Sequence, residues 1–308
     1  MEQAAVDKAL ADVKDQAATL SDVEDADVIF FNGDVQYGTA YDFIVDARPR
    51  QKRKNAIIIP ITGGGDTDAA YRIARYLQRA YEGGSILAFV PSLCKSAGTL
   101  LVAGAHKLYM GELGELGPLD IQLSKKDELW EYGSGLNVDA AIAALQKTSD
   151  KMFFDYLHRI KRRNSNVTYR TAAAISADLT SKLLGPVYAQ VDPAEIGENS
   201  RSMEITKNYA RRLDVKTKNF ISSKTLDYLV ESYPDHGFVI DRTEAADIFK
   251  SVEPPTSEMS ALEQALGLLA HDLLDWEAGV EYVIRYLVAE PMAEVLPKLS
   301  VMEGGIHE

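Results

Sequence analysis

The sequence predicts an α/β protein in which parallel strands alternate with helices. Two observations support this fold class. Short apolar runs recur along the first third of the chain, and glycine-rich turns or stretches with helical spacing separate them. Strands joined through helices lie parallel in one sheet, and their crossover connections are right-handed.

The N-terminal part is predicted to contain four strands and the helices between them. The strands are the apolar runs at residues 28–31, 56–61, 85–90 and 107–110. The helices have apolar residues at helical spacing, at residues 4–20, 66–81 and 96–105. Asp66 and Asp68 suit the start of the second helix, and Gly83-Gly84 ends it. Residues 41–47 fit either a helix or a strand.

Beyond Gly117-Pro118 the pattern becomes mainly helical. Residues 124–135 are polar with two glycines and predict an exposed loop. Further helices are predicted at residues 138–163, 172–184, 203–213, 223–233, 261–274 and 276–287, and residues 238–241 resemble a strand. Turns are predicted at Gly185-Pro186, Asp192-Pro193 and Gly197. We expect a core domain at residues 1–200, N-terminal helix included, and a mostly helical C-terminal extension at residues 201–308.

Composition excludes several classes of protein. The chain has 308 residues and a net charge of −13, so an acidic surface would repel nucleic acid. With Cys94 as its one cysteine, it has no intramolecular disulfide, and its histidines are too scattered to indicate a metal site. No signal peptide precedes the first helix, and no apolar run reaches the roughly 20 residues of a membrane span. We expect a cytoplasmic protein without a membrane anchor or a cofactor.

The residues with the clearest chemical meaning lie in two turns that follow neighbouring strands. The first contains Gly63-Gly64-Gly65, which is no phosphate loop because no Gly-Lys-Ser/Thr follows it. The second places Ser96 between a strand and an uncharged helix. Unpaired N–H groups and the macrodipole at a helix N-terminus favour negative charge on or near such a serine. Side-chain-free glycine N–H groups could donate to the same oxyanion, and losing one such donor costs about 2.7–4 kcal/mol of transition-state stabilisation.

Residues 56–122 resemble the ClpP/crotonase superfamily. They are most similar to its signal peptide peptidase A (SppA) branch, including the serine dehydrogenase proteinase (SDH) group. The matching motifs are Thr62-Gly63-Gly64-Gly65, Lys95-Ser96-Ala97-Gly98-Thr99 and Leu116-Gly117-Pro118-Leu119-Asp120-Ile121-Gln122. The resemblance implies a core of repeated β-β-α units with additional C-terminal helices.

The same resemblance implies a function. It suggests a serine endopeptidase that acts on peptides or proteins through an acyl-enzyme on Ser96. Gly64 or Gly65, together with Ala97, would supply the oxyanion hole. Relatives form rings or dimers, so we expect a homo-oligomer.

The proton acceptor is less well defined by the sequence. Caseinolytic relatives carry a histidine near Gly117-Pro118, where this chain has none, whereas the SppA branch uses a lysine, implying a Ser-Lys dyad. Such a lysine must be neutral, which requires burial or nearby positive charge. Lys147 is the first candidate and Lys151 the second, while Lys125, Lys126 and His236 remain alternatives, as does a base from a neighbouring subunit. Lys95 is expected to supply positive charge only.

Two other functions fit these residues. A crotonase-like acyl-thioester enzyme would use the same N–H groups to hold an enolate, and Ser96 would then be incidental. A catalytically inactive member would keep the fold as an assembly or binding module.

Overall fold

The protein is described by a computed structural model that covers residues 3–48, 50–119, 122–124, 132–271 and 282–288. The chain forms two compact units. One comprises Met1–Asp120 with Ile205–Glu308, and the other comprises Ile121–Glu204. The predicted division at residue 200 stays a prediction.

A six-stranded sheet forms the centre of the first unit. Its strands, in spatial order, are β10 (Tyr282–Tyr286), β1 (Ala26–Gly33), β2 (Asn55–Ile61), β3 (Ile86–Val90), β5 (Lys107–Met110) and β9 (Val252–Glu253). Every neighbouring pair is parallel except β10 with β1. Strands β1 and β3 are buried along their whole length, as expected for a parallel sheet covered on both faces. The α/β class predicted from the sequence is confirmed.

Helices surround this sheet in the first unit. They are α1 (Gln3–Glu24), α2 (Tyr37–Ala47), α3 (Thr67–Ala80), α4 (Ala97–Ala103), α8 (Ser223–Glu231), α9 (Arg242–Ile248) and α10 (Ser257–Leu266). A further helix, α7 (Pro193–Thr217), begins in the second unit and ends in the first. Ala17 and Leu20 of α1 and Leu262 of α10 share one apolar core with the sheet residues Ile57 and Phe89.

A second, smaller layer of extended segments follows the carboxyl ends of the parallel strands. Strand β4 (Leu93–Cys94) pairs with β6 (Glu115–Leu116), and Thr62 forms a parallel bridge to Cys94 on the other side. After each of β2, β3 and β5, the chain therefore adds a short segment in this layer. Helix α3 then follows the segment after β2, and α4 follows the segment after β3. This arrangement is the repeated β-β-α unit that the sequence predicted.

The second unit is a strand pair and a helical pair. Strands β7 (Gln122–Ser124) and β8 (Tyr132–Ser134) are antiparallel, so part of the predicted loop at 124–135 is a strand. Helices α5 (Gly135–Arg163) and α6 (Tyr169–Tyr188) pack against each other. Thr168 caps α6, since its hydroxyl accepts a hydrogen bond of 3.1 Å from the N–H of Thr171.

Two predicted turns are wrong. Helix α6 continues through Gly185-Pro186 to Tyr188, because a proline within the last turn removes only one helical hydrogen bond. Gly197 lies inside α7, whereas Pro193 begins that helix, a position where the missing N–H costs nothing.

The last predicted helix, at residues 276–287, is also wrong for its described part. Residues 282–286 form β10, which extends the sheet beside β1 with Phe31 opposite Ile284. No helix in the described ranges combines the length and the apolar character that a membrane crossing requires.

Candidate active site

Ser96 occupies a sharp turn between β4 and α4. Its backbone has φ 50° and ψ −115°, a conformation that residues other than glycine rarely adopt. The residue is 8% exposed, and its hydroxyl does not cap the helix. Such a turn presents a serine hydroxyl at the carboxyl edge of a parallel sheet, the place where α/β proteins bind ligands.

Gly64 lies directly against this serine. A Cβ added at Gly64 would be 2.8 Å from Ser96 Cβ and 3.3 Å from Ser96 Oγ. Its φ of 122° is also a conformation suited to glycine. The triple-glycine turn and the serine turn, separate in sequence, therefore meet as predicted.

Gly98 allows the serine turn to approach the strand that precedes the glycine turn. A Cβ at Gly98 would lie 2.5 Å from Thr62 Cγ2 and 2.9 Å from Cys94 Sγ. Burial raises the pKa of the Cys94 thiol, so this cysteine is a neutral packing residue at ordinary pH.

The candidate oxyanion donors differ in their hydrogen bonding. Gly64 N–H donates to Thr62 Oγ1 at 3.1 Å. The N–H groups of Gly65 and Ala97 have no acceptor among the described residues. Ala97 is the first residue of α4, where an N–H has no intrahelical partner. Of the three candidate donors, those of Gly65 and Ala97 are thus unpaired among the described residues, while Gly64 provides the close approach to Ser96.

The position of Gly65 is set by Val35. Val35 N–H donates to Gly64 O at 2.8 Å, and Asp66 N–H donates to Val35 O at 2.7 Å. These two bonds place the N–H of Gly65 on the side away from Val35. A Cβ at Gly65 would lie 2.1 Å from Val35 O, so a glycine is required there.

Lys95 has an almost fully buried side chain with four acceptors around its ammonium group. Nζ lies 3.3 Å from Glu115 Oε1 and donates to the carbonyl of Phe238 at 3.0 Å. The carbonyls of Leu116 and Gly237 accept at 3.4 Å each. These four contacts make Lys95 a tether between the serine turn and Glu115, Leu116, Gly237 and Phe238.

Thr99 connects the serine helix to the third motif of the sequence. Its hydroxyl donates to the carbonyl of Gly117 at 2.8 Å and accepts from Gly117 N–H at 3.1 Å. Gly117 also packs on Lys95, since a Cβ there would lie 2.7 Å from Lys95 Cδ. Sequence reasoning missed the roles of Thr62 and Thr99, although both are hydroxyl residues inside the two turn motifs.

The candidate bases lie on different elements of the chain. Lys147 and Lys151 lie on α5 in the second unit, and both are exposed. Lys125 and Lys126 fall outside the described residues, as does Asp120. His236 is in the first unit and precedes Gly237, whose carbonyl accepts from Lys95. Ser96 Oγ has no hydrogen-bond partner within the described ranges, and the assignment of its base stays a prediction.

No group of three or more histidine, cysteine, aspartate or glutamate side chains is placed to hold a metal in the described part of the chain.

Comparison with solved structures gives distant matches. No protein-family model and no curated protein matches the sequence. Among solved structures, the chain is similar to a serine-to-alanine mutant of the 1510-N membrane-bound stomatin-specific protease, at 13% identity and a TM-score of 0.43, covering 77% of this chain and 83% of that one. It is also similar to a lysine-to-alanine mutant of that protease in complex with a substrate peptide, at 21% identity and a TM-score of 0.29. This second match covers 41% of this chain and 58% of the other.

Proposed function

We propose that the protein is a serine peptidase with Ser96 as its nucleophile. The observation that carries this proposal is the strained backbone of Ser96 against Gly64, with unpaired N–H groups on the adjoining residues Gly65 and Ala97 in the described part of the chain. Strained, non-glycine conformations are found preferentially at functional sites. A turn that needed only to connect β4 to α4 could use glycine at this position without strain.

The reaction follows from these groups. Ser96 Oγ attacks the carbonyl carbon of a peptide bond and gives its proton to a base. The carbonyl oxygen becomes an oxyanion, which accepts hydrogen bonds from Gly65 N–H and Ala97 N–H. The intermediate expels the amine, which takes the proton from the base and leaves an acyl group on Ser96. Water then attacks this ester and gives a proton to the base. The bond from the acyl carbon to Ser96 Oγ breaks, the base returns the proton to Oγ, and the carboxylic acid product leaves.

We propose a lysine as the base, with Lys147 as the first candidate and Lys151 as the second. Lys125, Lys126, His236 or a residue of a neighbouring subunit are the alternatives. Because both Lys147 and Lys151 are exposed in the single chain, either would have to become neutral on substrate binding or assembly. When the lysine that acts as the base is substituted, the remaining acyl-transfer rate should lose its dependence on pH. Substitution of a lysine with no role in the reaction should leave the pH profile unchanged.

The test of the nucleophile is labelling with a fluorophosphonate probe. We expect labelling of the wild-type protein and none of Ser96→Ala. Ser92→Ala is the matched control, because Ser92 lies four residues earlier and its hydroxyl donates to the carbonyl of Ala270. Equal labelling of wild type and Ser96→Ala would contradict the proposal.

One observation favours a second candidate, an inactive binding module. In the described part of the chain, no side chain hydrogen-bonds Ser96 Oγ. If this candidate is correct, the full-length protein remains unlabelled at every pH and cleaves no member of a broad peptide library. Absence of labelling together with binding of an acyl-thioester would favour the crotonase-like reaction instead.

A further inference from the structure

A cleft lies between α5 and α6, within the second unit. Its volume is about 430 Å³. Its lining includes Ser149, Asp150, Phe153, Thr180, Ser181 and Tyr188. Gly185 also lines the cleft. A Cβ added at Gly185 would meet nothing within 4 Å, so the cleft has open space next to this residue.

Thr180 is the reason to regard this cleft as a binding site. Thr180 is 6% exposed, and its Oγ1 has no hydrogen-bond partner among the residues that the structure describes. Ser176, one turn earlier on the same helix, donates to the carbonyl of Ala172 at 2.8 Å. Thr180 makes no such bond to its own helix, so its hydroxyl, enclosed in a residue that lines the cleft, keeps an unused capacity to donate and to accept a hydrogen bond.

The remaining lining residues define the chemistry of that ligand. Asp150 is the one acidic side chain among these described residues, and it is exposed, at the edge of the cleft. Phe153 and Tyr188 add aromatic surface, which attracts cations as well as apolar chains. The hydroxyls of Ser149, Thr180 and Ser181 can hydrogen-bond an amide. A cationic side chain attached to a peptide backbone satisfies all three features.

We propose that this cleft binds a lysine-type side chain presented on a polypeptide. The ammonium group pairs with Asp150, the alkyl chain lies on the aromatic surface, and the backbone amide meets the hydroxyls. This site is independent of Ser96 and of any peptidase activity. The bound polypeptide could also be replaced by a free amine of the same chemistry, and the experiment distinguishes the two.

The experiment is an NMR titration of the full chain with three probes. Nα-acetyl-lysine amide carries the complete group, Nα-acetyl-glutamine amide lacks the charge, and n-butylamine lacks the backbone. We expect the lysine derivative to bind at least tenfold more tightly than the glutamine derivative. Weaker binding of n-butylamine than of the lysine derivative assigns the cleft to polypeptides, and equal binding supports a cation site for small amines.

Two variants and one control complete the test. Asp150→Asn should weaken binding of the lysine derivative about tenfold, which corresponds to about 1.4 kcal/mol. Thr180→Val should also weaken it, while leaving the melting temperature unchanged or raised because an unpartnered hydroxyl is removed. Asp155→Asn, an exposed carboxylate elsewhere on α5, should have no effect. The proposal is overturned if no probe binds, or if Asp150→Asn and Thr180→Val both bind like the wild type.

Discussion

Ser96 is held in a sparsely populated backbone conformation that costs about 1–3 kcal/mol for a residue with a side chain. We therefore expect Ser96→Gly to be about 1 kcal/mol more stable than Ser96→Ala, since only glycine relieves the strain. No cap is lost in either variant, because the serine hydroxyl does not bond the helix. Urea unfolding of the two variants measures the difference. Equal stability would mean that Ser96 is relaxed in solution.

Gly64 gives a second prediction at the same place. Gly64→Ala should abolish fluorophosphonate labelling, because the new Cβ would displace Ser96. Gly83→Ala is the control, since Gly83 also has a positive φ, 91°, but an added Cβ there meets nothing within 4 Å. Both variants carry backbone strain, and only the first disturbs the serine. Loss of labelling in both would point to general destabilisation.

Lys95 should contribute strongly to stability. Lys95→Met leaves Glu115 and three carbonyls without their ammonium partner, which should lower the free energy of unfolding by about 2–3 kcal/mol. Lys107→Met removes the more exposed pair with Glu253 and should cost about 0–1 kcal/mol. Chemical denaturation measures both, and similar costs would argue against a tether at Lys95.

The meeting of the serine turn with the triple-glycine turn was predictable from local sequence. Ser96 and the triple glycine lie next to strand ends, and parallel strands bring their ends together. The acceptors of Lys95 were not predictable, because Glu115 and Phe238 reach it only through the tertiary fold. The assignment of the proton acceptor stays a prediction.

At the scale of elements, β10 shows why apolar sequence alone can mislead. Its Tyr282-Val283-Ile284-Arg285-Tyr286 run was counted with an adjoining helical pattern. β-branched and aromatic residues favour strands, and the run pairs with the open side of β1. Strands β2, β3 and β5 were easier to predict from the sequence. Continuous apolar runs that are bounded by glycine or by charged residues are typical of buried parallel strands.

His106, which directly precedes β5, should make the free energy of unfolding depend on pH. His106 Nδ1 accepts from Ile86 N–H at 3.0 Å, and burial lowers the pKa of this histidine. The unfolded chain therefore binds the proton of His106 more tightly than the folded chain does. The contribution of neutral His106 to the free energy of unfolding is complete above about pH 6.5, and it is lost as the pH falls toward the folded-state pKa. His106→Asn keeps an acceptor without this titration.

The measurement is the free energy of unfolding between pH 8 and pH 5 for both proteins. We expect the wild type to lose more stability than His106→Asn across this interval. Parallel curves would show that His106 does not contribute to the pH dependence.

At the scale of the whole molecule, an exposed apolar stripe bears on assembly. Ile175, Leu179, Leu183 and Val187 follow one another at four-residue spacing on α6, and each is at least 38% exposed. Paired with a second copy about a two-fold axis, Leu179 would face Leu183, and Asp178 would approach Lys182 of that copy. A two-fold interface requires such self-complementarity. We therefore predict that two copies associate through this stripe.

Light scattering tests the association. Leu183→Glu should shift the protein to a smaller species, because it places a charge within the stripe. Val215→Glu is the control, since Val215 is an exposed apolar residue on α7, outside the stripe. A wild type that is already monomeric at working concentration would refute the predicted interface.

Gly65 affects how inactive variants from a genetic screen should be interpreted. Any side chain at this position would overlap the carbonyl oxygen of Val35, 2.1 Å away, so every substitution should damage folding whether or not the chain is an enzyme. Missense variants at position 65 will therefore appear as loss of function without identifying a catalytic group. Variants at position 96, where alanine fits, separate loss of chemistry from loss of structure.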